Sequence, residues 1–139
     1  MGGSFLRPPT DAELANMKGY VEQGMKDGAV GLATGLIYLP GTFAKTEEIV
    51  ELAKVAGTHG GIYASHMRSE GENIFKALDE LFRIAREGGT RGHISHLKLS
   101  GKSYWGQTAK VIGAIEGARA QGLDITQDQY VYPASSTGL

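Results

Sequence analysis

The chain has 139 residues, with 14 basic and 15 acidic side chains for a net charge of −1, and it contains no cysteine. Disulfides, zinc fingers and thiol catalysis are therefore excluded, and the balanced charge leaves no electrostatic footprint for nucleic acid. Apolar residues make up 41% of the chain, enough for a single domain over 1–139 with its own core, and no apolar run reaches the ~18 residues a membrane span needs.

Glycine is the outlier in composition, 21 of 139 against an average of roughly 7%. Without a Gly-X-Y period it implies tight turns and close backbone packing. No signal-peptide pattern opens the chain, so its default location is the cytoplasm. Residues 1–6 read as a disordered start or an appended scar.

Thr10-Asp11-Ala12-Glu13 has the form of a capping box, with a threonine for the free amides and a glutamate three residues on. Leu14, Met17, Val21 and Met25 follow on one helical face, and Asp27-Gly28 ends it. Ala29 to Ile37 is a mostly apolar run suited to a buried strand. Thr46-Glu47-Glu48 opens a second helix with acids at its positive end. Gly60-Gly61 stops it, and Ile62 to His66 reads as a strand. Ser69-Glu70-Gly71-Glu72 has the form of another capping box before the face Ile74, Leu78, Leu81, Ala85. Gly88-Gly89 closes that helix, and His93 to Leu97 reads as a third strand. A helix from about Thr108 carries Val111, Ile115 and Ala118 on one face. Gly113 and Gly117 inside it cost ~1 kcal/mol each relative to alanine, which a close packing contact would explain. Leu123 to Tyr130 is the last predicted strand.

Alternating strands and helices imply a parallel sheet with helical crossovers. The period is the stronger signal. Ser65-His66-Met67-Arg68 and Ser95-His96-Leu97-Lys98 share one pattern 30 residues apart, and Asp128 lies 32 beyond His96. The chain reads as four βα units, half of an eight-unit (β/α)8 TIM barrel of ~250 residues. A short doubly wound sheet is the competing architecture.

His66 and His96 fall at the carboxyl ends of predicted strands, where parallel α/β folds bind ligands. On neighbouring strands ~5 Å apart, two imidazoles are able to share a zinc ion, which at a catalytic site has three protein ligands and a water. Asp128 is the third candidate on spacing. The competing interpretation of each histidine is an ordinary hydrogen-bonding residue at a strand end. Arg68 and Lys98 follow the histidines by two positions, so a continuing strand places them on the same side, where a cation suits an anionic substrate group. Their competing interpretation is surface charge. Tyr38, Tyr130 and Tyr132 lie past strand ends and offer phenolic hydrogen bonds; Ser135-Ser136-Thr137 offers hydroxyls. His59 reads as a solvated turn residue, and His93, opposite in strand phase to His96, as structural and facing the helices. Lys98 as an imine-forming lysine also stays open. No nucleophile elbow, Walker A loop or dinucleotide fingerprint is present.

Four segments together resemble the D-aminoacylase (N-acyl-D-amino-acid deacylase) branch of the amidohydrolase superfamily: 31–41, Tyr63-Ala64-Ser65-His66-Met67-Arg68, Ile94-Ser95-His96-Leu97-Lys98 and 128–137. The resemblance runs from about Arg7 to the end. It implies a metal-dependent (β/α)8 hydrolase, of which this chain is a central fragment, strands four to seven. It implies that His66 and His96 are zinc ligands and that Tyr38, Lys98, Tyr130 and Ser136 hold the carboxylate of an N-acyl-D-amino acid. The family's first-strand His-x-His pair, bridging cysteine and last-strand aspartate have no counterpart here. The expectation is therefore an incomplete site, an inactive isolated chain, and either self-association or pairing with a complementary barrel half. A cyclic amidase fragment of the hydantoinase or dihydroorotase kind, or a non-catalytic half-barrel assembling through its open edges, are the alternatives.

Overall fold

A computed structural model describes residues 6–134 and Ser136. The interpretation of 1–6 falls almost wholly outside the described residues, as do Ser135 and Thr137. Four βα units follow one another: α1 (Asp11–Lys26), β1 (Gly31–Gly35), α2 (Thr46–Thr58), β2 (Ile62–His66), α3 (Ile74–Gly88), β3 (Arg91–Ile94), α4 (Thr108–Ala120) and β4 (Ile125–Gln127). The four strands form one parallel sheet in the order β1-β2-β3-β4, with Gly35 beside His66 and Ser65 beside Ile94.

The capping box on α1 forms as its sequence predicts: the Thr10 side chain accepts from the Glu13 amide, and Glu13 accepts from the Thr10 amide at 2.8 Å. The second predicted box does not form. Helix α3 starts at Ile74 with no side-chain cap, and Ser69 Oγ instead accepts from the amides of Gly71 and Asn73. Glu70 is drawn away into the cluster described below. Glycine ends α3 as expected, with Gly89 in the left-handed conformation at φ 65°.

Burial alternates along β2 and β3, whereas β1, expected to be buried, is an edge strand of the described sheet with no buried residue. Tyr63, Ser65, Ile94 and Ile125 are buried with Ile49, Val50, Leu78, Leu81 and Ile84 of α2 and α3. A Cβ at Gly92 would meet Leu81 and Ala85 of α3. The opposite face carries Ala33, Ala64, His93 and Thr126, none of them buried. Helices therefore cover one side of the sheet only. A doubly wound sheet has helices on both faces and a reversal of strand order; this chain has neither among the described residues, so that alternative is set aside.

Two expectations are corrected by the packing. A Cβ at Gly113 or Gly117 would meet nothing within 4 Å, so no close contact accounts for them. The close contacts lie between α2 and α3, where a Cβ at Gly57 would sit 2.2 Å from the Gly88 carbonyl oxygen and one at Gly88 would sit 2.7 Å from the Ala53 Cβ. No helix among the described residues is long and apolar enough to cross a membrane.

Candidate metal and substrate centre

His66 is the last residue of β2 and continues its alternation onto the uncovered face. His96 arrives differently. Strand β3 ends at Ile94, and Ser95-His96 form a turn in which His96 has φ 41°, the left-handed region that non-glycine residues seldom adopt. The two imidazole centroids lie 4.3 Å apart, nearly edge to face.

Glu70 completes the group. The residue is 8% exposed, with Oε1 3.1 Å from His96 Nδ1 and 3.7 Å from His66 Nε2. One atom from each of His66, Glu70 and His96 can be chosen so that all lie within 4.8 Å of one another. Two imidazole nitrogens and a carboxylate oxygen are a zinc donor set, and a fourth position remains for water. The donor chemistry therefore fits the metal. Burial pushes the His66 imidazole below its ordinary pKa, against the opposing pull of Glu70, so its ring is neutral and its nitrogen available at neutral pH.

Lys98 lies at the same point. Its ammonium donates to Glu70 Oε1, to His96 Nδ1 at 2.8 Å and to the His96 carbonyl at 3.1 Å. It also stands 5.4 Å from the centre of the Tyr130 ring. Tyr38 packs on His66 at 4.7 Å between ring centroids, and Tyr130 on His96 at 6.3 Å. A cavity of about 330 Å³ is bounded by Tyr38, His66, Glu70, His96, Lys98, Ser100, Tyr130 and Ser136, with Ile37 at its edge.

The remaining candidates are placed elsewhere. Arg68 turns away once β2 has ended. Its guanidinium donates to both oxygens of Glu80 at 2.9 and 3.0 Å and to the carbonyls of Thr42 and Ala44 at 2.8 and 2.9 Å. Asp128, the spacing candidate for a third ligand, has one oxygen on the His96 amide and the other 3.0 Å from His93 Nε2. Those two hydrogen bonds, the one from His93 first, hold its carboxyl below the ordinary range. His93 faces the uncovered side, not the helices, because it pairs in register with Ala64 and alternates with buried Ile94. His59 caps α2 and meets Glu22 of α1 at 2.8 Å.

No family model matches the chain. The D-aminoacylase of Alcaligenes xylosoxydans xylosoxydans is 45% identical over 133 residues, 96% of this chain and 27% of that protein. A solved D-aminoacylase, described as defining a novel subset of amidohydrolases, matches with a TM-score of 0.90 at 41% identity, over 94% of this chain and 27% of that one. This chain is similar to one part of the D-aminoacylases. A structure of N-acyl-D-glutamate deacylase from Bordetella bronchiseptica, in complex with zinc and a phosphonate mimic of the tetrahedral intermediate, matches with a TM-score of 0.90 at 34% identity, over 94% of this chain and 28% of that one. The chain thus spans 27–28% of the length of the relatives it matches.

Of the residues singled out from sequence, Tyr38, His66, His96, Lys98, Tyr130 and Ser136 border one cavity, whereas Arg68 and Asp128 are engaged elsewhere. Glu70 is the functional candidate that sequence reasoning missed. No spacing marks it, because it joins the histidines only through the loop after β2, and its neighbours imitate a helix cap.

Proposed function

We propose that the chain carries part of the active face of a zinc-dependent amidohydrolase that cleaves N-acyl-D-amino acids to a carboxylate and a D-amino acid. The observation that carries this is the meeting of His66, His96 and Glu70 with Lys98, Tyr38, Tyr130 and Ser136 around one cavity. Its second support is the activity named for the relatives, a D-aminoacylase and an N-acyl-D-glutamate deacylase.

His66 and His96 would hold the ion, with Glu70 as the carboxylate beside them. A zinc ion bound there supplies Lewis acidity toward the amide carbonyl and a water of lowered pKa. The chain's own residues do the positioning. The Lys98 ammonium offers a charge-assisted hydrogen bond to the amino-acid carboxylate, and the Tyr38, Tyr130 and Ser136 hydroxyls offer neutral ones. Fixing that carboxylate orients the scissile amide over the histidines, which converts binding into reactivity. The remaining metal ligands and the proton-transfer group would come from outside these 139 residues.

Zinc titration of the purified chain, wild type against the His66→Ala/His96→Ala double variant, tests the metal reading. One tightly bound zinc lost in the variant is expected. Equal zinc uptake by both proteins refutes it. Turnover of N-acetyl-D- and N-acetyl-L-amino acids in the same samples tests the substrate: cleavage of the D form alone, dependent on both histidines, supports the assignment. Preference for a cyclic amide would transfer the site to the hydantoinase kind.

A further inference from the structure

His96 is in an unusual place for a ligand. It stands beyond the end of β3, and among the described residues it is the non-glycine residue with a positive φ, 41°. Such a conformation is strained for a residue with a side chain and persists only where its surroundings over-determine it. The surroundings are explicit. The Asp128 carboxylate accepts from the His96 amide. The Asp128 carbonyl accepts from the Leu97 amide at 2.8 Å, and its own amide donates to the Ile94 carbonyl at 3.2 Å. The other carboxylate oxygen is fixed by His93 Nε2 at 3.0 Å, and His93 Nδ1 lies 2.8 Å from Thr126 Oγ1.

We propose that Asp128, seated by His93, is the positioning residue that holds the His96 turn in its left-handed conformation and so presents the His96 imidazole to His66. The inference rests on the proposed metal role of the two histidines. Asp128 touches no ligand atom of the centre; it acts through the backbone of His96. Had β3 run on with regular alternation, His96 would point toward the helices, as Ile94 does. The carboxylate captures the amide after Ser95 and reverses that direction. His93 keeps the carboxylate in place from the uncovered face. A charge-assisted hydrogen bond to a backbone amide is about twice as strong as a neutral one, so the clamp offsets the conformational cost of the turn.

The test uses the full chain with zinc as the only added ligand, in Asp128→Ala, Asp128→Asn and His93→Ala. Removal of a group that orients a metal ligand characteristically weakens metal binding by about 10–100-fold. That loss is expected for Asp128→Ala, with a smaller one for His93→Ala. Asp128→Asn keeps an oxygen for the His96 amide and is expected to fall between Asp128→Ala and wild type. In parallel, the His96 amide proton resonance of the metal-free protein is expected to move upfield in Asp128→Ala as its acceptor is removed. A merely structural role would lower the unfolding midpoint while leaving zinc affinity unchanged below it. Unchanged zinc affinity in a folded Asp128→Ala overturns the proposal, whether or not the amide moves. If Asp128→Ala does not fold, His93→Ala and Asp128→Asn decide by the same two readouts. If wild type binds no zinc, the metal reading fails on its own. The clamp is then judged by the cross-relaxation between the His66 and His96 rings: its loss in the variant supports the clamp, and its retention overturns it.

Discussion

Replacement of Arg68 by methionine is expected to cost stability and to leave the metal centre intact. The guanidinium makes four hydrogen bonds, two to Glu80 and two to carbonyls of the segment between β1 and α2. Its side chain is 30% exposed and that of Glu80 only 11%. Exposed pairs contribute 0–1 kcal/mol, whereas breaking a buried pair costs about 3–5 kcal/mol because the remaining charge is left uncompensated. Glu80 retains only the Thr46 hydroxyl at 2.8 Å, and the Thr42 and Ala44 carbonyls lose a donor. An intermediate loss of about 2–3 kcal/mol follows, roughly 6–12 °C in Tm for a domain of this size. Urea unfolding followed by circular dichroism, at two protein concentrations so that any association is visible, reads the loss as a lower midpoint at unchanged slope. Glu80→Leu in the Arg68→Met background is expected to recover part of it, since an apolar pair replaces a stranded charge. A stable Arg68→Met protein, within about 0.5 kcal/mol of wild type, that has lost affinity for an N-acyl amino-acid carboxylate would refute the argument and return Arg68 to the substrate.

Three further outcomes are expected. Alanine at Gly113 and at Gly117 meets open space and stabilises the chain by about 0.4–1 kcal/mol each. Alanine at Gly57 drives a Cβ against the Gly88 carbonyl and destabilises by about 1–3 kcal/mol; in thermal melts, a reversed sign at Gly57 would contradict the α2–α3 packing, and a reversed sign at Gly113 or Gly117 the open space beside α4. Glu51 lies between Lys18 and Lys54 at 2.8 and 2.7 Å, which hold its carboxyl at about 2 against an ordinary 4.5. A depressed folded-state pKa gives stability that is complete above the unfolded value and lost as pH falls through the folded one. Glu51→Gln should flatten the fall of Tm from about pH 5 down to about 2, and an unchanged acid limb would discount the pair. Lys98→Met removes the ammonium that shares Glu70 Oε1 and His96 Nδ1 with any incoming cation. Zinc affinity should rise by about tenfold, equivalent to ~1.4 kcal/mol, while carboxylate binding falls; unchanged zinc affinity refutes the competition.

The local signals were legible where the physics is local. Helix α1 begins at its capping box, α3 ends at the glycine pair, and β2 covers Ile62 to His66 because alternation and flanking glycines lie within a few residues of each other. Strand β3 shows where this stops. The sequence from His93 to Leu97 keeps strand-like composition, but Asp128, 32 residues on, takes the His96 amide and ends the ladder at Ile94. The same long-range contact explains the misplacement of His93: phase was counted from His96, which is no longer in the strand. Glu70 and Arg68 failed for a related reason. Both lie in the loop after β2, where no period governs direction, and each went to the strongest partner within reach: Glu70 to Lys98 and the histidines, Arg68 to Glu80.

The two faces of the sheet divide stability from chemistry. Toward the helices, Tyr63, Ser65, Ile94 and Ile125 are at most 2% exposed. Polarity there is satisfied internally, with Thr34 Oγ1 2.8 Å from the Tyr63 hydroxyl and 3.0 Å from Ser65 Oγ. The close packing of these residues makes any change of their volume costly. On the other face Ala33, Ala64, His93 and Thr126 stand in one row, small on β1 and β2 and polar on β3 and β4, and His66 lies two residues beyond Ala64 at the carboxyl end of β2. The small residues leave space in front of the sheet, and His66 borders the cavity together with residues of the loops beyond the strands. A cavity at the carboxyl end of a parallel sheet is the arrangement of a (β/α)8 barrel. It agrees with the close match of the chain to 27% of a solved D-aminoacylase. The uncovered face is therefore half of a surface built to be closed. Substitutions facing the helices are expected to register in unfolding, and those bordering the cavity in the proposed zinc and carboxylate binding.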